Sequence, residues 1–144
     1  MQNKPIVIEK ILAESAAKVW RALTNIEELR EWNPYVFGTV EEFKAEPGFS
    51  FKFLLGPEDK QFLHLCEITE VVEGKKLAYS WRYDGYKGAS LITYELTPDG
   101  DKTRLRMTWE GTHSFPAEIF APEGFVQGAN HTMTELEAFI KSEE

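Results

Sequence analysis

His64 stands in the stretch FLHLCEI (residues 62–68), two residues before the chain's single cysteine, Cys66. A spacing of two puts both side chains on one face of a strand, where an imidazole could move a proton and a thiolate could attack an electrophile. The pair could also begin a metal site, but zinc needs three or four ligands and no third stands at a recognised spacing. No metal is expected. The residues flanking Cys66 are mostly apolar, so its thiol reads as buried and inert, unlike the exposed, electropositive thiolates that react. His64 allows two readings: a hydrogen-bonded core histidine, or a ligand-binding or acid–base group with a pKa tuned by burial. His113 falls in a loop, from which it could reach a pocket mouth or simply meet solvent. Tyr83 and Tyr94 add hydroxyls able to orient a ligand. No Gly-rich phosphate loop, nucleophile elbow or zincin motif occurs. The acidic pairs Glu27-Glu28, Glu41-Glu42 and Glu143-Glu144 read as solvated surface. Enzyme activity is thus left open without being called for, and no cofactor is expected.

These groups must be held by strands. In LAYSWRY (residues 77–83), Leu77, Tyr79, Trp81 and Tyr83 alternate with Ala78, Ser80 and Arg82. The aromatic face continues through Ile92, Tyr94 and Leu96 on the next strand, then Leu105, Met107 and Trp109 on the one after. Phe49, Phe51 and Phe53 share a face earlier in the chain. In FLHLCEI, Leu63 and Leu65 compete with Phe62, His64, Cys66 and Ile68, and the second set is chosen because it leaves Glu67 outside. The opposite faces carry Arg82, Glu95, Arg104, Arg106 and Glu110, which suit a solvated convex sheet with cross-strand ion pairs.

Around these strands the chain reads in order. PIVIEKIL forms a first strand, and Ser15 caps a short helix over AAKVWRAL. Thr24 or Asn25 caps a second over IEELREW, which presents Ile26, Leu29 and Trp32 and ends where Pro34 biases Asn33 away from helical angles. FGTVEEF reads as a strand leading through AEPG to FSFKFLL. The turns GPEDK, EGKK, DGYKG and TPDGD separate the strands that follow, the last being a strong hairpin signal. HSFPAEIFAPEGF is an irregular loop, and FVQGANHTMTELEAFIKSEE is helical, with Pro122 suited to a first turn. On that helix Phe125, Ala129, Thr132, Met133, Leu136, Phe139 and Ile140 make one stripe, and His131, about 140° from its centre, is expected to be exposed.

The expected architecture is α+β: a curved antiparallel sheet of about six to seven strands wrapped around a long C-terminal helix, with two short helices after the first strand. Six strands spaced by roughly 4.8 Å make a sheet roughly 29 Å wide. One helix, about 10 Å across, cannot cover that width, so the sheet must curl. Space remains at the open end unless large side chains fill it, and both a filled aromatic core and a cavity are compatible with the pattern.

Residues 1–144 read as a single domain, since the length suits one core and no linker or repeat interrupts it. A net charge of −8 with scattered Lys and Arg argues against a nucleic-acid or anionic-membrane surface. No apolar run approaches membrane-spanning length. MQNKPIVIEK lacks the apolar core of a signal peptide, and one cysteine allows no intrachain disulfide; a cytoplasmic location is the expectation.

The residues VWRALTNIEELREW (19–32), Gly48-Phe49, ITEVVEGKKLAYSW (68–81), SLITYEL (90–96) and TRLRMTWEG (103–111) carry a resemblance over nearly the whole chain. In them the sequence resembles the START-like SRPBCC superfamily, the helix-grip fold, and more narrowly the heat-shock-protein-90 ATPase activator homologue group. Where relatives often open the last helix with Gly-Trp, this chain has Gly124-Phe125. The resemblance implies a cavity for an apolar or amphipathic small molecule. Placed on this sequence, Trp32, Phe53, Phe62, Trp81 and Trp109 would supply walls, with Phe125 on the helix. His64, Tyr83 and Tyr94 would supply hydrogen bonds, and the loop around Phe115 and Phe120 would act as a lid. The expected partner is an unidentified apolar or aromatic small molecule. The alternatives are a co-chaperone-like module binding a chaperone ATPase, or a cyclase- or dehydratase-type enzyme using His64.

Overall fold

Ser15 and Asn25 decide where the first helices begin. In the computed structural model, which describes residues 4–56 and 59–142, the chain opens with strand β1 (Ile6–Leu12), Ile6, Ile8 and Leu12 inward and Val7 and Ile11 exposed. The Ser15 hydroxyl accepts from the Lys18 N–H at the start of α1 (Ala16–Thr24), and Asn25 Oδ1 accepts from the Glu28 N–H at the start of α2 (Ile26–Trp32). Each cap satisfies a donor that the helix itself cannot. Pro34 ends α2 and then occupies the first turn of a further short helix, α3 (Pro34–Phe37). The proline ring pre-sets a helical φ and lacks only a donor that would be orphaned anyway, so the residue that stops one helix starts the next.

The expected strand FGTVEEF is not one. The Arg30 guanidinium donates to the Val40 carbonyl from Nη2 at 2.6 Å and from Nε at 3.2 Å, and to the Glu41 carbonyl at 3.2 Å. Those carbonyls are the acceptors a ladder would have used. Val40 and Phe43 still bury their side chains in the core.

The remaining strands are β2 (Ser50–Leu55), β3 (Phe62–Val72), β4 (Lys76–Tyr83), β5 (Ser90–Asp99) and β6 (Lys102–Glu110). They form one six-stranded antiparallel sheet in the order β1-β6-β5-β4-β3-β2. The Gly100-Asp101 turn joins the Asp99–Lys102 pair, and Gly100 takes the φ of 67° that a side chain disfavours. Register places His64 opposite Tyr83 and Cys66 opposite Trp81, then Ile92 opposite Trp109 and Tyr94 opposite Met107. All eight are inward and buried, as alternation requires. Arg82, Arg104, Arg106 and Glu110 are exposed on the convex face, where Arg106 and Glu9 pair at 2.6 Å.

Helix α4 (Pro122–Ser142) lies in the concave face and buries Phe125, Ala129, Met133, Leu136, Phe139 and Ile140. Burying each of the larger apolar side chains contributes roughly 1.5–3 kcal/mol, which is what holds the helix in the sheet. Lys10 and Glu137, 3.2 Å apart, pair β1 with α4. No helix among the described residues is long and apolar enough to cross a membrane. Pro57 and Glu58 of the GPEDK turn, and Glu143 and Glu144, lie outside the described residues.

Candidate functional site

Between the concave sheet and α4 lies a cavity of about 490 Å³, within the range of small-molecule sites. Its sheet wall is Tyr79, Trp81 and Tyr83 from β4, Ile92 and Tyr94 from β5, and Met107 and Trp109 from β6, with His64 and Leu55 at the far strands. Asn33, Tyr35 and Val36 close one side from α3 and the residue before it. Phe120 and Ala121, followed by Gly124, Phe125, Gly128, His131 and Thr132 of α4, close the other. A Cβ placed on Gly124 or Gly128 would meet nothing within 4 Å. Glycine in a helix costs about 1 kcal/mol relative to alanine, and here two of them leave volume that ordinary side chains would fill.

The indoles are tied down. Trp109 Nε1 donates to Ser90 Oγ at 3.0 Å, and Ser90 Oγ donates to the Trp81 carbonyl at 2.9 Å. Trp81 Nε1 donates to the Tyr83 hydroxyl at 3.0 Å. Both indoles therefore serve as apolar walls with their donors engaged, while the Tyr83 hydroxyl, an acceptor in that bond, keeps its own proton to donate. Burial pushes the Tyr83 hydroxyl up to about 12 against the opposing pull of the Trp81 bond. Burial likewise pushes Tyr94 up to about 12, and Tyr79, which donates to Tyr94, well above its usual 10. All three are protonated donors at neutral pH.

His64 is 5 % exposed, stacked on Phe53 at 4.6 Å and met edge-on by Trp81 at 5.1 Å and Tyr83 at 4.7 Å. Its Nδ1 lies 2.9 Å from the Phe62 carbonyl. A carbonyl only accepts, so Nδ1 carries the proton and Nε2 the lone pair. Burial lowers the His64 pKa from 6.5, outweighing the Phe62 and Phe53 carbonyls that favour the cation. The imidazole is thus neutral at pH 7. Burial pushes the Cys66 thiol up, and Cys66 is not among the lining residues. Among the described residues no cluster of His, Cys, Asp and Glu could hold a metal.

Of the wall residues expected from sequence, His64, Trp81, Tyr83, Tyr94, Trp109, Phe120 and Phe125 line this cavity. Three do not. Trp32 packs against the first helices and donates Nε1 to the Ala22 carbonyl at 2.8 Å. Phe53 sits behind His64, and Phe62 lies outside Tyr83, packed on Phe120 at 5.0 Å and Tyr86 at 5.7 Å. The segment expected to act as a lid packs two rings inward: Phe115 stacks on Phe125 at 5.6 Å, and Phe120 on Tyr83 at 4.0 Å. Exposed Tyr35 and His131, which meet edge-on at 6.2 Å, form part of the rim. His131 is exposed as its helical position predicts, yet it lines the cavity. His113 is exposed and does not. Sequence reasoning missed Asn33, Tyr35 and the two glycines; a Gly pair four residues apart on a helix was a signal that could have found the latter.

Residues 13–141 match the family described as Activator of Hsp90 ATPase homolog 1-like protein. No curated protein matches the chain in sequence. Among solved structures, the chain is similar to protein MLL2253 from Mesorhizobium loti, at 26% identity and a TM-score of 0.80, covering 98% of this chain and 99% of that one. It is also similar to CV1439 from Chromobacterium violaceum, at 25% identity and a TM-score of 0.78, covering 97% and 98%. Mll3558 from Rhizobium loti, at 23% identity, a TM-score of 0.82 and coverage of 95% and 96%, shares the fold.

Proposed function

The chain belongs to the Activator of Hsp90 ATPase homolog 1-like family, and on that premise we propose that it is a binding protein for an apolar or amphipathic small molecule. The observation that carries this is the cavity of about 490 Å³, walled by aromatic rings, the indoles with their N–H groups engaged, and bordered by helical glycines at which a Cβ would meet nothing. Sparse polar groups on apolar walls are how such sites orient a guest. Native mass spectrometry of freshly purified protein, paired with organic extraction, tests the reading with the natural guest. Titration with N-phenyl-1-naphthylamine, an uncharged dye that fluoresces out of water, tests it directly. A saturable signal at one site per chain, quenching Trp81 and Trp109, is expected. A clean apo mass together with no dye signal overturns the proposal.

One observation favours a second reading, an acid–base enzyme. His64 is neutral at pH 7 and lines the cavity, so Nε2 could take a proton from a bound substrate. In that case a guest recovered from the protein is converted on incubation with the wild type and not with His64→Gln. Recovery of the guest unchanged from both sinks it.

A further inference from the structure

The cavity offers hydrogen bonds from tyrosines and imidazoles, with His131 at its rim and His64 inside, which narrows the small-molecule reading and rests on it. No lysine, arginine, aspartate or glutamate is among the described residues that line the cavity. Arg82, between Trp81 and Tyr83 in sequence, is exposed on the opposite face of β4, and Arg30 is held by the Val40 and Glu41 carbonyls.

The polar groups at the β3–β4 end make a matched set. His64 and Tyr83 are cross-strand partners with ring centroids 4.7 Å apart. With His64 Nδ1–H taken by the Phe62 carbonyl, Nε2 is left to accept. With the Tyr83 oxygen already accepting from Trp81, its O–H is left to donate. One neutral acceptor and one neutral donor therefore belong to adjacent rings of the cavity wall, beside Trp81 and the Phe120 ring stacked on Tyr83 at 4.0 Å.

A polar end group entering such a site replaces its lost water contacts only if it brings one donor and one acceptor. An ion loses its hydration and meets no counter-charge at the β3–β4 end. The net charge of −8 adds a long-range repulsion for anions. We infer that the cavity takes an uncharged, flat aromatic molecule carrying a hydrogen-bond donor and acceptor on one end group, as a primary carboxamide does, and excludes the corresponding carboxylate.

Three compounds of one ring system test this at pH 8, where a carboxylic acid is ionised: naphthalene-2-carboxamide, naphthalene-2-carboxylate and 2-ethylnaphthalene, each competing with N-phenyl-1-naphthylamine. The carboxamide binds the wild type at least tenfold more tightly than the carboxylate. Tyr83→Phe weakens the carboxamide at least fivefold more than it weakens 2-ethylnaphthalene. A carboxamide preference below tenfold overturns the charge exclusion while the cavity reading stands, and that comparison needs no variant. A smaller differential in Tyr83→Phe overturns the donor–acceptor pairing. If neither the dye nor any of the three binds, the cavity reading falls and this inference with it.

Discussion

Gly128 is the place to separate binding from stability. Replacing a wall aromatic such as Trp81 with alanine removes packing worth roughly 3–5 kcal/mol, so any lost binding would be confounded with lost fold. Gly128→Leu acts in the opposite direction. A Cβ there meets nothing within 4 Å, and Gly128 lines the cavity. Leucine restores most of the roughly 0.8–1 kcal/mol by which glycine disfavours a helix. Its side chain can also lay some of its surface on the cavity wall at about 25 cal/mol per Å². Together these stabilise by about 1–2 kcal/mol, which for a chain of this size raises Tm by roughly 3–8 °C. The same carbons occupy the volume that a guest would take. Calorimetry should therefore show a higher Tm while N-phenyl-1-naphthylamine affinity falls at least tenfold. A variant that melts higher but binds the dye as the wild type does places the guest elsewhere. A variant that melts several degrees lower shows that position 128 does not border open volume.

Three further outcomes follow from individual contacts. His64, held neutral by burial with its pKa below the unfolded 6.5, stabilises fully above that value and loses its contribution as pH falls from 6.5 through the folded pKa, because only the unfolded chain gains the proton there; urea midpoints at pH 7.5 and 5.5 should differ more in the wild type than in His64→Gln, and equal differences refute the assignment. Ser90→Ala strands the Trp109 indole N–H, a buried donor whose loss of partner costs about 1–3 kcal/mol; a change in stability under 0.5 kcal/mol on denaturant titration would show that the indole finds another acceptor. Arg30→Ala frees the Val40 and Glu41 carbonyls, and hydrogen exchange should quicken across residues 38–49 before it does in the sheet; uniform exchange would show that Arg30 does not hold that segment.

The faces of the strands were legible because alternation has a period of two and a wrong parity would bury Arg82 or Glu67. That single constraint brings Trp81, Tyr94, Met107 and Trp109 together on one face. The extent of the cavity along those strands was not legible, since parity says nothing about depth: Phe53 shares the inward face yet lies behind His64. Segment 37–43 misleads for a different reason. Its apolar residues Phe37, Val40 and Phe43 bury at every third position rather than every second, a side chain from α2, Arg30, takes the Val40 and Glu41 carbonyls, and no local pattern announces a partner ten residues away. The size of Trp32 suggests a wall residue, whereas its N–H finds the Ala22 carbonyl near the end of a neighbouring helix. Tyr35 and Asn33 are hard to find because Pro34 signals the end of one helix more plainly than the start of the next.

The rim of the cavity constrains how it can exist without a guest. Exposed Tyr35 and His131 are part of its lining, so water enters whenever no guest does. The cavity must therefore hold water or a guest whenever the chain is folded. Water needs two to four polar partners to sit in a protein, and the hydroxyls of Tyr83, Tyr94 and Thr132, with His64 Nε2, are the groups placed to supply them. The same groups thus do two jobs. They make the unliganded cavity tolerable, and they fix which end group displaces the water, because a purely apolar guest would leave them without partners. Large side chains in place of the helical glycines would leave less volume to wet. The two features that look weakest as packing, a neutral buried histidine and a glycine pair on the central helix, thus act on one volume, the first on its polarity and the second on its size.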